Sequence, residues 1–257
     1  MSYKCGEYMI VRKKALAENI YSLTIHCPEV TELAQCGQFV HILAPGFTLR
    51  RPISICEIDR RNGTLRVVFL VKGHGTEAIA RMNEGDRIDM IAPLGNGYTL
   101  SSVPDIGRAV VVGGGIGVPP MLETARNLKN VTAILGFRSY GNIILAEEFR
   151  KYCKDVIICT DDGSVGEKAI VTEPLKRELE KGDVSAVFSC GPTRMLSAVA
   201  ELAKQYGVFC EVSLEERMGC GVGACVGCVA RINRNGEEKL LRVCKDGPVF
   251  NAEEVLF

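Results

Sequence analysis

Four cysteines near the C-terminus have the residue type and the spacing to hold iron. Cys220, Cys225 and Cys228 form a C-x4-C-x2-C run, Cys220-Gly-Val-Gly-Ala-Cys225-Val-Gly-Cys228, and Cys244 follows after fifteen intervening residues. That is the spacing of a plant-type [2Fe–2S] ligand loop closed by a distant cysteine. Two irons need four thiolates, and a loop that supplies three of them must curl tightly. Gly219, Gly221, Gly223 and Gly227 permit positive φ and close backbone approach. Their N–H groups can donate to the cluster sulfurs and tune the reduction potential. A structural zinc site also takes four cysteines, but as paired C-x2-C knuckles, and here one gap is four residues. Disulfides need an oxidising compartment, for which the sequence gives no sign.

Two further sets of residues suit anionic nucleotides. Gly113-Gly114-Gly115-Ile-Gly117-Val-Pro-Pro120 follows an apolar strand and opens a helix, so backbone N–H groups and the helix N-terminus form a diphosphate cradle. Pro120 stands where G-x-G-x-x-G has its third glycine, and a glycine turn with no ligand is the alternative. Arg51-Pro52-Ile53-Ser54 puts a cation and a hydroxyl at the start of a strand, fit for a phosphate and a flavin edge. Gly73-His74-Gly75-Thr76 offers backbone donors at a helix start, with Thr76 as a plain N-cap the alternative. Cys190, in Cys190-Gly-Pro192, ends a strand at the edge where open α/β sheets bind ligands. It can face a nicotinamide ring or be a packed thiol. Asp161 and Asp162 end another strand, and Asp162 reads better as a turn cap than as a ribose contact. His26, His41 and His74 are scattered, show no metal-ligand spacing and receive no catalytic role.

Three regions must position these groups. Residues 1–100 read as an antiparallel β-barrel, with strands at Ile20–Cys27, Gln38–Leu43, Pro52–Glu57, Thr64–Val71 and Arg87–Ile91 and a helix at Thr76–Met82. Residues 101–212 alternate short apolar strands with helices, the pattern of a Rossmann-like parallel sheet. Strands are expected at Ala109–Val112, Val131–Gly136, Val156–Thr160, Ala186–Ser189 and Val208–Val212, and helices at Pro120–Leu128, Ala146–Tyr152, Glu173–Lys181 and Thr193–Tyr206. Residues 213–257 form a cluster module too short for its own core, so the metal site should supply much of its stability. The fold class is thus multidomain, β followed by α/β. Hydrophobic residues make up 47%, charged residues 24%, and the formal net charge is zero, so neither nucleic acid nor an anionic membrane is an implied partner. The longest apolar stretch, Ala109–Leu122, is too short and too rich in glycine and proline to span a bilayer. With no signal-peptide core at its start and 12 cysteines, the chain reads as cytoplasmic, its thiols reduced.

In this order, the Arg51–Ser54 motif, Gly75-Thr76, the Gly113–Pro120 loop and Cys190-Gly-Pro192 resemble the ferredoxin–NADP reductase superfamily over roughly residues 5 to 212. The tail from Glu215 through Cys244-Lys-Asp-Gly-Pro-Val-Phe250 is similar to that of the electron-transfer subunits of NAD-dependent dihydroorotate dehydrogenase. The resemblance implies FAD held by Arg51, Pro52, Ile53, Ser54, Gly75 and Thr76, with contacts from Val68, Phe69 and Leu70. Family members often carry Tyr-Arg where this chain has Phe69-Leu70; an aromatic remains to stack on the flavin, and the cation is absent. It also implies NAD in the second domain and the cluster on Cys220, Cys225, Cys228 and Cys244. The implied path runs from dihydroorotate, oxidised at FMN in a separate catalytic subunit, through the cluster and FAD to NAD+, in a heterotetramer serving pyrimidine biosynthesis. A bifurcating NADH:ferredoxin–NADPH oxidoreductase or a sulfide dehydrogenase keeps the carriers and changes the partner. A redox-sensing module is a rival of another class, which the paired flavin and nicotinamide motifs disfavour. No arginine follows Thr160-Asp161 to receive a 2′-phosphate, which points to NAD rather than NADP.

Overall fold

The computed structural model describes residues 2–104 and 107–257. The first region is a closed six-stranded barrel in the order β1-β2-β5-β4-β3-β6, every pair antiparallel. Its strands are β1 (Lys4–Ala17), β2 (Ile20–His26), β3 (Phe39–Leu43), β4 (Arg50–Asp59), β5 (Thr64–Leu70) and β6 (Arg87–Leu94), with helices α1 (Pro28–Thr31) and α2 (His74–Arg81) between them. The sequence reading found five of the six strands. It missed β1 because that strand is charged and mostly exposed, and its register slips twice, at Ile10/Arg12 and Ala15/Ala17. Helix α2 starts at His74, two residues before the expected Thr76.

Period-2 alternation sorts the barrel side chains. On β3, Val40 and Ile42 join the barrel core, while Phe39 packs outside it with Leu94, Cys228, Ile232, Val243, Cys244 and Phe250. On β5, Val67 and Phe69 point into the barrel, whereas Val68 and Leu70 pack with the core of the second region.

That second region is a six-stranded sheet in the order β14-β11-β10-β7-β8-β9. Strands β7 (Arg108–Gly114), β8 (Val131–Phe137), β9 (Asp155–Thr160), β10 (Val184–Cys190) and β11 (Phe209–Ser213) run parallel. Helices α3 (Val118–Arg126), α4 (Ala146–Phe149), α5 (Thr172–Glu180) and α6 (Thr193–Gln205) connect them. Two cores, one on each face of the sheet, fit the continuous apolar strands, of which β7 is buried throughout.

The tail adds β12 (Val229–Arg234), β13 (Glu237–Arg242) and β14 (Val249–Asn251). A two-residue turn, Asn235-Gly236, joins β12 to β13, both residues at positive φ (56° and 83°) as a type I′ hairpin requires. β14 pairs antiparallel with β11 and so extends the nucleotide-type sheet. The tail therefore shares its apolar core with Phe39 and Leu94 of the barrel and lends a strand to the second region. This shared packing stabilises a segment too short to bury a core alone. Among the described residues no helix is long and apolar enough to cross a membrane.

Buried polar contacts join barrel and sheet. Glu123 on α3, 3% exposed, accepts the Ile58 N–H of β4 at 3.0 Å and the Asn127 amide at 2.9 Å. Burial raises its pKa above the ordinary carboxylate value. Tyr98 donates its hydroxyl to the Ser189 carbonyl at 2.9 Å and stacks edge-on against Phe188. Glu211 accepts from the Thr99 N–H and hydroxyl, both at 2.7 Å.

Candidate functional site

The cysteine loop curls over the outer face of β3. Its four thiols fall into two pairs: Cys220 and Cys225 lie within hydrogen-bonding reach of each other, as do Cys228 and Cys244. Among the described residues no three His, Cys, Asp or Glu side chains converge as for a single metal ion. Two pairs suit two irons, each of which takes two protein thiolates, so the donor set fits a [2Fe–2S] cluster better than a zinc ion.

The pairs differ in environment. Cys228 and Cys244 are each 1% exposed, whereas Cys225 is exposed and Cys220 half-buried. Partial burial works against the Cys220 thiolate, but backbone N–H groups outweigh it and bring the pKa down to about 6. The Ala224 and Cys225 N–H groups lie 3.2 and 3.4 Å from Cys220 Sγ. Burial, then the bond shared with Cys228, pushes Cys244 up to about 12. The Cys244 N–H in turn points at Cys228 Sγ, 3.4 Å away.

Two of the four loop glycines take positive φ, Gly221 (72°) and Gly223 (84°), and a Cβ on Gly221 would stand 2.3 Å from His41 Nδ1. Gly219 and Gly227 do not. Each instead leaves room beside Cys225 Sγ, where a Cβ would come within 3.3 and 3.5 Å. The additional left-handed residue is Val226 (φ 55°), between two ligand-type cysteines. A β-branched residue there is strained, and nothing in the sequence pattern marks it. Arg242 clamps the loop from behind, donating to the Gly223 carbonyl at 3.1 Å while paired with Asp246.

On the barrel rim the Arg51 guanidinium lies over Gly75, where an added Cβ would come within 2.3 Å of its Nε. Arg51 also donates to the Leu49 carbonyl at 2.7 Å and sits 5.4 Å from the Phe47 ring centre. The structure thus joins the two halves of the motif that the sequence separates by more than twenty residues. Thr76 is not the N-cap. Its hydroxyl accepts the Lys72 and Gly73 N–H groups at 3.0 and 3.2 Å and fixes the loop entering α2. On β4, Pro52 and Ser54 lie opposite His41 and Phe39, while Ile53 is in the barrel core. Phe69 is 2% exposed in that core beside Tyr21. Strand alternation puts Val68 and Leu70 on the opposite face.

At the second site α3 begins at Val118, two residues before the expected Pro120. Pro119 and Pro120 therefore fall in its first turn and remove two of the N–H donors that a helix N-terminus would offer. The donors that remain come from the short Gly115–Gly117 turn. Gly115 (φ 54°) faces open space, while Gly113, Gly114 and Gly117 are needed for close packing. A Cβ on Gly117 would stand 2.3 Å from the Cys190 carbonyl, and one on Gly114 2.5 Å from Met195 Sδ. The glycine loop and the Cys190-Gly191-Pro192 loop therefore touch at the C-terminal edge of the sheet. Burial pushes the Cys190 thiol up to about 12, so it is neutral at physiological pH, and Ser213 lies within hydrogen-bonding reach. Asp162 caps its own turn through the Ser164 N–H and hydroxyl at 2.9 and 2.6 Å.

The iron–sulfur cluster binding domain of dihydroorotate dehydrogenase B matches residues 215–256. The dihydroorotate dehydrogenase B (NAD(+)) electron transfer subunit of Geobacillus thermodenitrificans is 41% identical over 254 residues, covering 96% of each chain. The subunit of the same name from Enterococcus faecalis is 41% identical over 257 residues, again covering 96% of each chain. Among solved structures, one from a study of flavin-based electron bifurcation in an NADH-dependent reduced ferredoxin–NADP oxidoreductase superimposes with a TM-score of 0.85 at 32% identity, covering 96% of this chain and 89% of that one. A ferredoxin NADP+ reductase from Neisseria gonorrhoeae, with bound FAD and NADP, shares the fold at a TM-score of 0.65 and 19% identity, covering 83% and 94%. Curated relatives at about 40% identity carry the dihydroorotate name, against 32% for the structure from the bifurcation study, and the chain belongs to the family of dihydroorotate dehydrogenase B (NAD(+)) electron transfer subunits.

Proposed function

We propose that this chain is the electron-transfer subunit of a cytoplasmic NAD-dependent dihydroorotate dehydrogenase, paired in a heterotetramer with an FMN-containing catalytic subunit. Residues 1–100 bind FAD, 101–212 bind NAD and 213–257 bind the [2Fe–2S] cluster. When bound, FAD and the cluster supply the exchange between a hydride acceptor, which takes two electrons, and a carrier of single electrons.

The observation that carries this reading is shared geometry. The paired-thiol loop and the Arg51–Ser54 strand lie on one barrel, and the Val68 and Leu70 face of that barrel abuts the nucleotide-type domain. In this reading Cys220, Cys225, Cys228 and Cys244 hold the cluster. The exposed Cys225 and Val226 (59% exposed) face the partner subunit. Arg51 binds a flavin phosphate, Gly75 gives that guanidinium its place, and Thr76 fixes the adjoining loop. Pro52, Ile53, Ser54 and Phe69 contribute backbone, and Ser54 its hydroxyl as well. Val68 and Leu70 keep water from the ring. Gly115–Gly117 donate N–H groups to the NAD diphosphate, Gly113 and Gly114 shape that loop, and the neutral Cys190 thiol borders the nicotinamide.

The full chain, reconstituted with FAD, iron and sulfide, should reduce a dye with NADH and leave dihydroorotate untouched until the FMN protein is added. Absence of NADH-dependent dye reduction by the reconstituted chain would refute the reading.

A further inference from the structure

His41 is the buried titratable group that no motif explains. It lies on β3, 0% exposed, on the outer face of the barrel between Pro52 of β4 and Ile91 of β6. The cluster loop covers it so closely that Gly221 has no room for a side chain. The Arg50 carbonyl on one side and the Cys220 carbonyl on the other lie near its ring. Yet neither ring nitrogen has a partner at hydrogen-bonding geometry.

An orphaned buried imidazole costs free energy, and such groups in native proteins have a reason. A neutral imidazole has one N–H to give. It can tie the ring to its own barrel through Arg50, or to the cluster loop through Cys220, but not to both. Nδ1 is the ring atom nearest to where a Cβ on Gly221 would stand. No other imidazole approaches the loop: His26 and His74 are exposed on the barrel surface.

Building on the cluster assignment above, we propose that His41 is the positioning residue that ties the cluster loop to the flavin-binding barrel. In the loaded protein its Nδ1–H donates to the Cys220 carbonyl, which holds Cys220-Gly221 against β3. The cluster is thereby fixed in distance and orientation relative to the strand bearing Arg51–Ser54. Outer partners that orient metal ligands are worth about 10- to 100-fold in metal affinity when removed.

The test uses the full chain reconstituted with FAD, iron and sulfide. In His41→Phe, which keeps a ring and loses the donor, a chelator should strip the cluster about tenfold faster than from wild type. The visible circular dichroism and electron paramagnetic resonance of the cluster should shift, while FAD content stays at the wild-type level. His41→Asn, whose amide sits where Nδ1 was, should recover most of the loss, and His41→Gln less. Unchanged cluster release and spectra in His41→Phe, or equal impairment in His41→Asn, would overturn the inference. Should His41→Phe not fold, Gly221→Ala tests the same contact from the loop side, and wild-type cluster release there would overturn it equally. If wild type itself takes up no [2Fe–2S] cluster, the cluster assignment falls and this role with it.

Discussion

Gly75→Ala separates folding from flavin binding, because the two respond in opposite directions. Gly75 lies in the first turn of α2 without a positive φ, so alanine fits the backbone and favours the helix by up to about 1 kcal/mol. Its Cβ, however, would stand 2.3–2.6 Å from Nε, Nη2 and Cζ of Arg51. Those atoms end a flexible side chain, so the guanidinium moves and the helix stays. Moving it breaks the 2.7 Å bond to the Leu49 carbonyl, about 1 kcal/mol net, and the contact with the Phe47 ring, about 0.5–1 kcal/mol. The gain and the losses nearly offset, so the apoprotein should change stability by no more than about 1 kcal/mol. FAD loses a charge-assisted bond worth about 1.5–3 kcal/mol, which weakens its Kd by about 10- to 150-fold. Urea unfolding of the apoprotein gives the first quantity, and flavin fluorescence titration gives the second. Arg51→Ala should weaken FAD similarly, and the double variant should be no worse than either single one. FAD affinity within about threefold of wild type in Gly75→Ala, or additive losses in the double variant, would refute the reasoning.

Glu123→Gln should reveal the cost of the buried carboxylate. The folded pKa is raised above 4.5, so the native state holds the proton more tightly than the unfolded one. Wild-type stability relative to the variant should therefore be highest below pH 4.5 and fall as pH rises from there through the raised folded value, as read by urea unfolding across that range. Tyr98→Phe keeps the edge-on packing against Phe188 and removes the hydrogen bond to the Ser189 carbonyl, and should cost about 1 kcal/mol in thermal or urea unfolding. Arg242→Met removes the clamp on the Gly223 carbonyl and should speed chelator release of the cluster by about tenfold with FAD content unchanged. Cys228→Ser, in the buried pair, should abolish the visible [2Fe–2S] spectrum on reconstitution and leave flavin absorbance intact.

The parts of this protein legible in its sequence are those set by local periodicity or by a local motif. The five parallel strands of the sheet were found within two residues because each is a short apolar run flanked by helix patterns. The hairpin β12–β13 was overlooked although Asn235-Gly236 announces it. β1 hid behind its charges, and β14 behind a three-residue length whose meaning comes only from its pairing with β11. At the site, the cysteine spacing named its own geometry. The face that the Phe69 ring takes is not legible in the sequence, because one residue of strand register decides it and register is a tertiary property. His41 carried no signal, since its environment is assembled from β3 and a loop about 180 residues later in the chain.

That distance explains why the tail cannot be regarded as an appendage. A freestanding loop with four cysteines could bind a cluster, but it would leave the spacing to the flavin at the mercy of a linker. Here Phe39 and Leu94 of the barrel share a core with Cys228 and Cys244, and β14 pairs with β11 of the nucleotide-type sheet. The Asn96 N–H donates to the Gly247 carbonyl at 2.6 Å, and its amide donates to the Asp246 carbonyl at 3.0 Å, so the Cys244 turn is bonded to the exit of β6. Of the covalent neighbours of the buried thiol pair, Val243 shares that core and the Lys245 carbonyl accepts the Asn96 amide at 3.3 Å. The Cys225 side is exposed, and in the proposed reading it meets the partner subunit. An electron carrier needs fixed distance on its inner side and access on its outer side, and the division between buried and exposed thiol pairs supplies both.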